Sequence, residues 1–221
     1  MTKYLVTIDG PAGAGKSTVS KNLAISLNYI YVDTGALYRG VAYYTILNNI
    51  DYTDTNNLKI QLDKMDLRFK NIDGDLKLFL NGSDISSKIR TPEISMQASK
   101  VASIELVRSY LLDLQHKLGV EKNAVFEGRD MGTTVFPNAD VKFYLDSSTK
   151  ERALRRFKEL TDSNQTLEDV EQDIIDRDNN DKSRKISPLK QAEDAHFIDA
   201  THMNVDEVVN KMVGIVSNIS S

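Results

Sequence analysis

Apolar positions along the chain recur in two different periods, and the switches between them mark the elements. Residues 4–8 form a nearly unbroken apolar run closed by Asp9-Gly10, which predicts a short buried strand. After a glycine-rich stretch, Val19, Leu23 and Leu27 repeat at helical spacing and predict a helix from about Lys16 to Leu27. Tyr29 to Val32 is a second β-prone run, followed by Asp33-Thr34-Gly35 and a helical stretch through Leu47. Residues 63–100 read differently. Leu67 and Phe69 alternate with Arg68 and Lys70, and Leu76, Leu78 and Leu80 alternate after them. Bounded by Asp73-Gly74 and Asn81-Gly82, this is the pattern of antiparallel hairpins.

A helix is expected over roughly 93–118, then an apolar strand at 124–126 ending in Glu127-Gly128-Arg129-Asp130. Another strand, 141–145, precedes a helix that begins near Ser148, with Glu151, Arg155 and Glu159 at spacing four. A polar helical segment at 166–179 leads into a charged stretch ending at Pro188. Phe197 and Ile198 suggest a last strand, and 205–216 a closing amphipathic helix. Strand and helix in alternation predict an α/β fold whose central, mostly parallel sheet is flanked by helices on both faces. The expected division is a core of 1–62 and 101–221, a lid at about 155–187, and a small antiparallel β insertion at 63–100. With no repeat, no low-complexity tract and four prolines, no interdomain linker is visible.

Composition narrows the function classes. The 221 residues suffice for one α/β domain with a modest insertion. Lys and Arg number 28 against 32 Asp and Glu, a net charge of −4, which argues against a nucleic-acid partner. With no cysteine there is no disulfide, thiolate metal site or Cys nucleophile. His116, His196 and His202 show no ligand spacing, and the six methionines read as core filler. The apolar run at 4–8 is too short for a secretory leader or a membrane span. A cytoplasmic monomer with small-molecule partners, no nucleic acid and no membrane is expected.

The chemistry begins at Gly10-Pro11-Ala12-Gly13-Ala14-Gly15-Lys16-Ser17-Thr18, which fits G-x-x-x-x-G-K-[ST] between a predicted strand and a predicted helix. Glycines let the backbone wrap a phosphate and aim its N–H groups inward. The helix N-terminus adds a field favourable to anions. Lys16 is expected to reach the outer phosphates of ATP and the Ser17 hydroxyl to ligate Mg²⁺. The motif alone does not separate kinase from GTPase or ATPase. A guanine-reading Asn-Lys-x-Asp segment does not occur: Asn210-Lys211-Met212-Val213 lacks the acid and falls in the final helix. A small-molecule kinase is the leading class.

Three further segments sharpen this. Asp33-Thr34-Gly35-Ala36-Leu37-Tyr38-Arg39, Gly128-Arg129-Asp130-Met131-Gly132-Thr133 and Arg177-Asp178-Asn179-Asn180-Asp181-Lys182-Ser183-Arg184 occur in that order. With the P-loop they give the chain a close resemblance to the bacterial cytidylate kinases over essentially its whole length. The resemblance implies a P-loop kinase fold with a helical lid, ATP as phosphoryl donor, and CMP and dCMP as acceptors. It makes Lys16, Arg129 and Arg177 catalytic and assigns the acceptor phosphate to Arg39, Arg129 and Arg177. It places Ser99, Arg108, Asp130 and Arg184 around the cytosine, with Thr34 and Tyr38 nearby, and gives Asp181 the ribose hydroxyls. Arg155 or Arg156 is expected at ATP, and Asp33 as an outer anchor for the Mg²⁺ held by Ser17. Thr34 stands where many members have Ser, and Asn180 and Lys182 where Arg is common.

Plainer roles exist for the same residues. An arginine after a strand can serve a surface carboxylate. Asp33 and Asp130 each open a loop into a helical run and can cap a helix. Glu151, Arg152, Arg155, Arg156 and Lys158 read chiefly as a solvated helix face. A kinase for shikimate or dephospho-coenzyme A would not need the β insertion together with the Arg-Asp segment, and a nucleotide-dependent regulatory switch would show little acceptor-dependent ADP release.

Overall fold

The computed structural model describes residues 3–120, 123–160 and 165–219. Part of the expected lid, 161–164, lies outside the described residues. β1 (Leu5–Asp9) delivers the chain into the glycine-rich loop and α1 (Lys16–Leu27). Next come β2 (Ile30–Asp33), α2 (Thr34–Leu47), α3 (Thr55–Lys64), β3 (Leu67–Ile72), β4 (Asp75–Leu80), β5 (Ser83–Asp84), α4 (Pro92–Val101) and α5 (Glu105–Gly119). β6 (Ala124–Glu127) runs into a π-helical turn, Met131–Val135, and then β7 (Val141–Asp146) and α6 (Thr149–Glu159). α7 (Leu167–Ser183), β8 (His196–Asp199) and α8 (Val205–Ile219) close the described chain.

Contacts group the chain into two compact units, Met1–Tyr31 with Lys122–Ser221, and Val32–Glu121. The larger sheet has the order β2-β6-β1-β7-β8. β1 pairs in parallel with β6 (Ile8 opposite Glu127) and with β7 (Asp9 opposite Tyr144), and β7 in parallel with β8. Because β1 lies inside the sheet, all five of its residues are buried, which explains its nearly unbroken apolar run. Val6, Ile8, Val19, Leu23, Val125, Phe143, Val208 and Met212 share one core, with α8 packed on α1. The parallel register puts the carboxyl ends of β1, β6 and β7 on one edge, the place where open α/β sheets bind ligands.

The second unit has its own core, in which α2, α3, the hairpin and α5 meet through Leu37, Val41, Leu58, Leu62, Leu67, Leu78 and Leu111. The hairpin register sets Leu67 opposite Leu80 and Phe69 opposite Leu78. Asp73 and Gly74 turn it with φ of 52° and 89°, and Asn81 and Gly82 make the next turn with 48° and 82°. These left-handed pairs are the reason Asp-Gly and Asn-Gly stand there. On α2, a Cβ at Gly40 would lie 2.8 Å from Leu67 Cδ1.

Two helical expectations differ from the structure. The continuous helix over 93–118 is broken between α4 and α5. Ser103 donates its hydroxyl to Lys100 O at 2.7 Å and Arg108 Nη1 donates to Ala102 O at 3.1 Å, so side chains take carbonyls that a continuous helix would use. α3 had no expectation at all. Asp54 caps it by accepting from Asn56 N and Asn57 N, while only Leu58 and Leu62 are buried along it, too sparse a stripe to stand out. Among the described residues no helix is long and apolar enough to cross a membrane.

Candidate functional site

The phosphate-binding loop has the shape its sequence requires. Gly13 and Gly15 take φ of 75° and 83°, conformations that disfavour a side chain. Gly15 is the N-cap of α1 and offers no side-chain acceptor, so the first N–H groups of α1 are left to an external anion. Gly10 is fixed by crowding, since a Cβ there would lie 2.0 Å from Leu145 O. Lys16 is buried and donates to Pro11 O at 2.5 Å. Burial first, and the Arg129 and Arg177 charges after it, lower its pKa from 10.5 to about 7 against the opposing pull of Glu127 and Asp178. The ammonium is therefore poorly compensated in the empty site, a setting that favours an added anion.

Ser17 donates its hydroxyl to Glu127 Oε1 at 2.8 Å, and Tyr31 donates to Glu127 Oε2 at 2.5 Å. The Ser17 hydroxyl in the first turn of α1 and the Glu127 carboxylate at the end of β6 are oxygen ligands suited to a hard cation such as Mg²⁺. The carboxylate expected for that role, Asp33, is used within its own unit: it caps α2 by accepting from Ala36 N at 3.0 Å and pairs with Arg39 at 2.7 Å. Sequence reasoning did not single out Glu127, although an acid directly ending an apolar strand was the available signal. Asp9 was missed too. It accepts from Met131 N and Gly132 N at 2.8 and 2.7 Å, fixing the chain just after Arg129-Asp130. Burial pushes its pKa up to about 7 despite those two donors.

At the end of β6, Arg129 donates through Nε to Asp181 at 3.1 Å, and Arg184 pairs with the other oxygen of Asp181. Burial raises the Asp181 pKa, but Arg129, Arg184 and Arg177 outweigh it and hold the carboxyl below its usual range. For Arg129, burial lowers and Asp181 with Glu127 raises, with a net upward result. Thus Arg129, Arg177, Asp181 and Arg184, drawn from two distant segments, form one electrostatic group, of which Arg129 and Arg177 also act on Lys16. Asp130 is buried beside them, and its side chain does not cap the π-helical turn.

In the second unit, Thr34 and Tyr38 are buried on α2, and the Arg108 guanidinium carbon lies 5.4 Å from the centre of the Tyr38 ring. The break between α4 and α5 is what holds Arg108 in place, and Ser99 lies half-buried on α4. Arg39 keeps a buried Nε with no hydrogen-bond partner among the described residues. An unmatched guanidinium donor of this kind suits an anion.

The helix face expected to be solvated is only partly so. Arg155 pairs with Glu151 at 3.0 Å and donates to Ala200 O at 2.8 Å, while a Cβ on Gly15 would lie 3.8 Å from its Nη1, so it stands over the loop. Arg156 pairs with Glu159. Arg152 departs from expectation: it is buried, because its guanidinium is claimed by backbone carbonyls and by Asp178.

A phosphate cradle at the end of β1, a buried lysine and a guanidinium group beside it, on this sheet order, define a P-loop kinase. Solved structures agree on the fold: a shikimate kinase from Bacteroides thetaiotaomicron (TM-score 0.52, 11% identity, 98% of this chain and 99% of that one) and a gluconokinase from Sinorhizobium meliloti (0.52, 12%, 98% and 93%). The family described as cytidylate kinase matches residues 6–218. Proteins named cytidylate kinase are 44% identical in Lactobacillus johnsonii, over 96% of this chain and 93% of theirs, and 44% identical in Leuconostoc mesenteroides, over 99% and 98%. The chain belongs to the cytidylate kinase family.

Proposed function

We propose that this enzyme transfers the terminal phosphoryl group of ATP to the phosphate of CMP, and of dCMP, releasing ADP. The observation that carries the reading is the buried Lys16 of the phosphate loop sharing its electrostatic environment with Arg129 and Arg177. Two polyanions must approach for this reaction, and the acceptor oxygen is already ionised at neutral pH, so positioning and charge neutralisation are the work and no strong base is needed. Lys16 and the loop N–H groups bind the donor phosphates, with Arg155 standing over the loop. Arg39, Arg129 and Arg177 bind the acceptor phosphate. Ser17 and Glu127 would hold Mg²⁺, which would offset phosphate charge; Asp33 serves chiefly α2 and Arg39. Asp181 orients Arg129 and Arg184 and takes the ribose hydroxyls as they rearrange. Excluding water prevents ATP hydrolysis, the task expected of the segment 155–187, while 63–100 contributes to the monophosphate-binding part.

Cytosine offers an amino donor beside an acceptor ring nitrogen. Asp130 and the Ser99 hydroxyl supply acceptors, with Arg108 or Arg184 the donor, a pairing that uracil reverses. Uracil would set a buried carboxylate against a carbonyl, a mismatch of about 2–4 kcal/mol. A coupled assay for acceptor-dependent ADP release, run over CMP, dCMP, UMP and AMP, tests the reading. CMP and dCMP are expected to lead clearly. Equal rates on all four, or ADP release without an acceptor, would overturn it.

A further inference from the structure

Ala12, at the start of the loop's tight turn, is gripped through both of its backbone polar groups. Its N–H donates to Asp178 Oδ1 at 3.0 Å, and its carbonyl accepts from Arg152 Nη1 at 2.8 Å. The two side chains meet each other at 2.5 Å, Arg152 Nη1 to Asp178 Oδ2. The rest of the guanidinium is anchored as well, Nε to Ser147 O at 3.0 Å and Nη2 to Thr149 Oγ1 at 3.1 Å. Arg152 is 6% exposed and Asp178 4%. The next residue is held by contact: a Cβ at Gly13 would lie 3.1 Å from Arg152 Cβ and 3.4 Å from Ile174 Cδ1. The back of the loop at residues 12–13 is therefore seated on α6 and α7, while the N–H groups at the start of α1 are left for phosphate.

α7 is also the helix that carries Arg177 and Asp181, and Asp178 lies between them in sequence. A buried ion pair is weak evidence of stabilisation, since apolar residues of similar volume often serve as well or better. What the pair supplies is geometry: a fixed fork that admits one placement of Ala12 and one docking of α7. Both members are fully engaged with the protein, so neither is placed to bind a substrate itself.

We propose that Arg152 and Asp178 are a positioning pair, setting the backbone of the phosphate loop and locking to it the helix that bears the acceptor-side arginines, so that donor and acceptor phosphates are aligned. The inference rests on the phosphoryl-transfer reading and concerns how its two halves are held in register.

The test compares Asp178→Asn with the double variant Arg152→Met/Asp178→Leu. Melting temperature, ATP affinity by calorimetry and kcat with CMP are measured on the whole protein. In the double variant the buried charges leave together and only the hydrogen bonds to Ala12, Ser147 and Thr149 are lost, so the melting temperature is expected to fall less than in Asp178→Asn. Its kcat is expected to fall about a hundredfold, as misplacement by about an ångström does, and ATP affinity to weaken. Asp178→Asn keeps an acceptor for Ala12 N–H but leaves the buried Arg152 charge without its partner, and is expected to lose about tenfold in kcat with a lowered melting temperature. A double variant that regains both wild-type stability and wild-type kcat makes the pair purely structural and overturns the proposal. Should the double variant not fold, wild-type kcat in Asp178→Asn overturns it alone. If wild-type enzyme does not phosphorylate CMP, the functional reading fails separately, and unchanged ATP affinity in the folded variants still sinks the positioning role.

Discussion

Lys16 carries an ammonium into a buried site, and the direction of its titration has a measurable consequence. Its folded pKa, about 7, lies below the ordinary 10.5. Between those values the unfolded chain holds a proton that the folded chain does not, so this residue makes the nucleotide-free protein more stable as pH rises from about 7 toward 10.5. Asp9 acts oppositely over the adjoining window. Raised from 3.8 to about 7, it binds a proton in the folded state first, and its contribution is lost as pH rises through that range. Near neutrality both groups weigh against the empty enzyme. Lys16→Met is therefore expected to raise the melting temperature at pH 7 without nucleotide, while kcat falls by about a thousandfold or more through lost charge stabilisation. A lower melting temperature, or a kcat above about a tenth of wild type, would refute this. Lys16 was legible in the sequence because glycines and a lysine at fixed spacing have few other uses. Glu127 and Asp9 were not, since an acid at a strand end is also ordinary punctuation. Arg152 was misread because its spacing matches Arg155 and Arg156, and only packing separates a buried guanidinium from solvated ones.

At the scale of elements, local chemistry decided what could be foreseen. The hairpin was legible because Asp73-Gly74 and Asn81-Gly82 must turn where they do. The strands β1, β6 and β7 were legible from their apolar runs. The break between α4 and α5 was hidden, because Ser103 and Arg108 end one helix and steady the next by contacts that no periodicity records. The junction of β1 with the loop shows the strictest local demand. Gly10, at φ 152°, passes so close to the backbone of β7 that a methyl group would meet the Leu145 carbonyl at 2.0 Å. That atom belongs to a central strand and cannot step aside. Gly10→Ala is expected to cost about 3 kcal/mol or more by overpacking and backbone strain, read as a lowered denaturant midpoint. A midpoint within error of wild type would mean that β7 yields more easily than its burial suggests.

At the scale of the molecule, the α/β class and mostly parallel sheet were legible in the alternation of strand and helix. The extent of the second unit was not, because a hairpin announces itself in sequence while the helices sharing its core look like any others. That unit, Val32–Glu121, is one continuous stretch, whereas the other is assembled from the segments on either side of it. Its contacts are the more local, and closing the pair Leu5 with Ala124 requires the whole intervening chain to be drawn in. In refolding monitored by pulse-labelled hydrogen exchange, amides of Val41 and Leu78 are expected to gain protection before those of Val6 and Val125. Simultaneous or reversed protection would count against this order. On the ribosome the same division becomes a matter of timing. At ~10 residues per second, β1 and the phosphate loop emerge and then wait on the order of ten seconds for β6 and β7 to be made. The loop proposed to grip ATP is made well before the strands that complete its sheet, so a nascent chain gains no ligand protection until β6 and β7 have been translated.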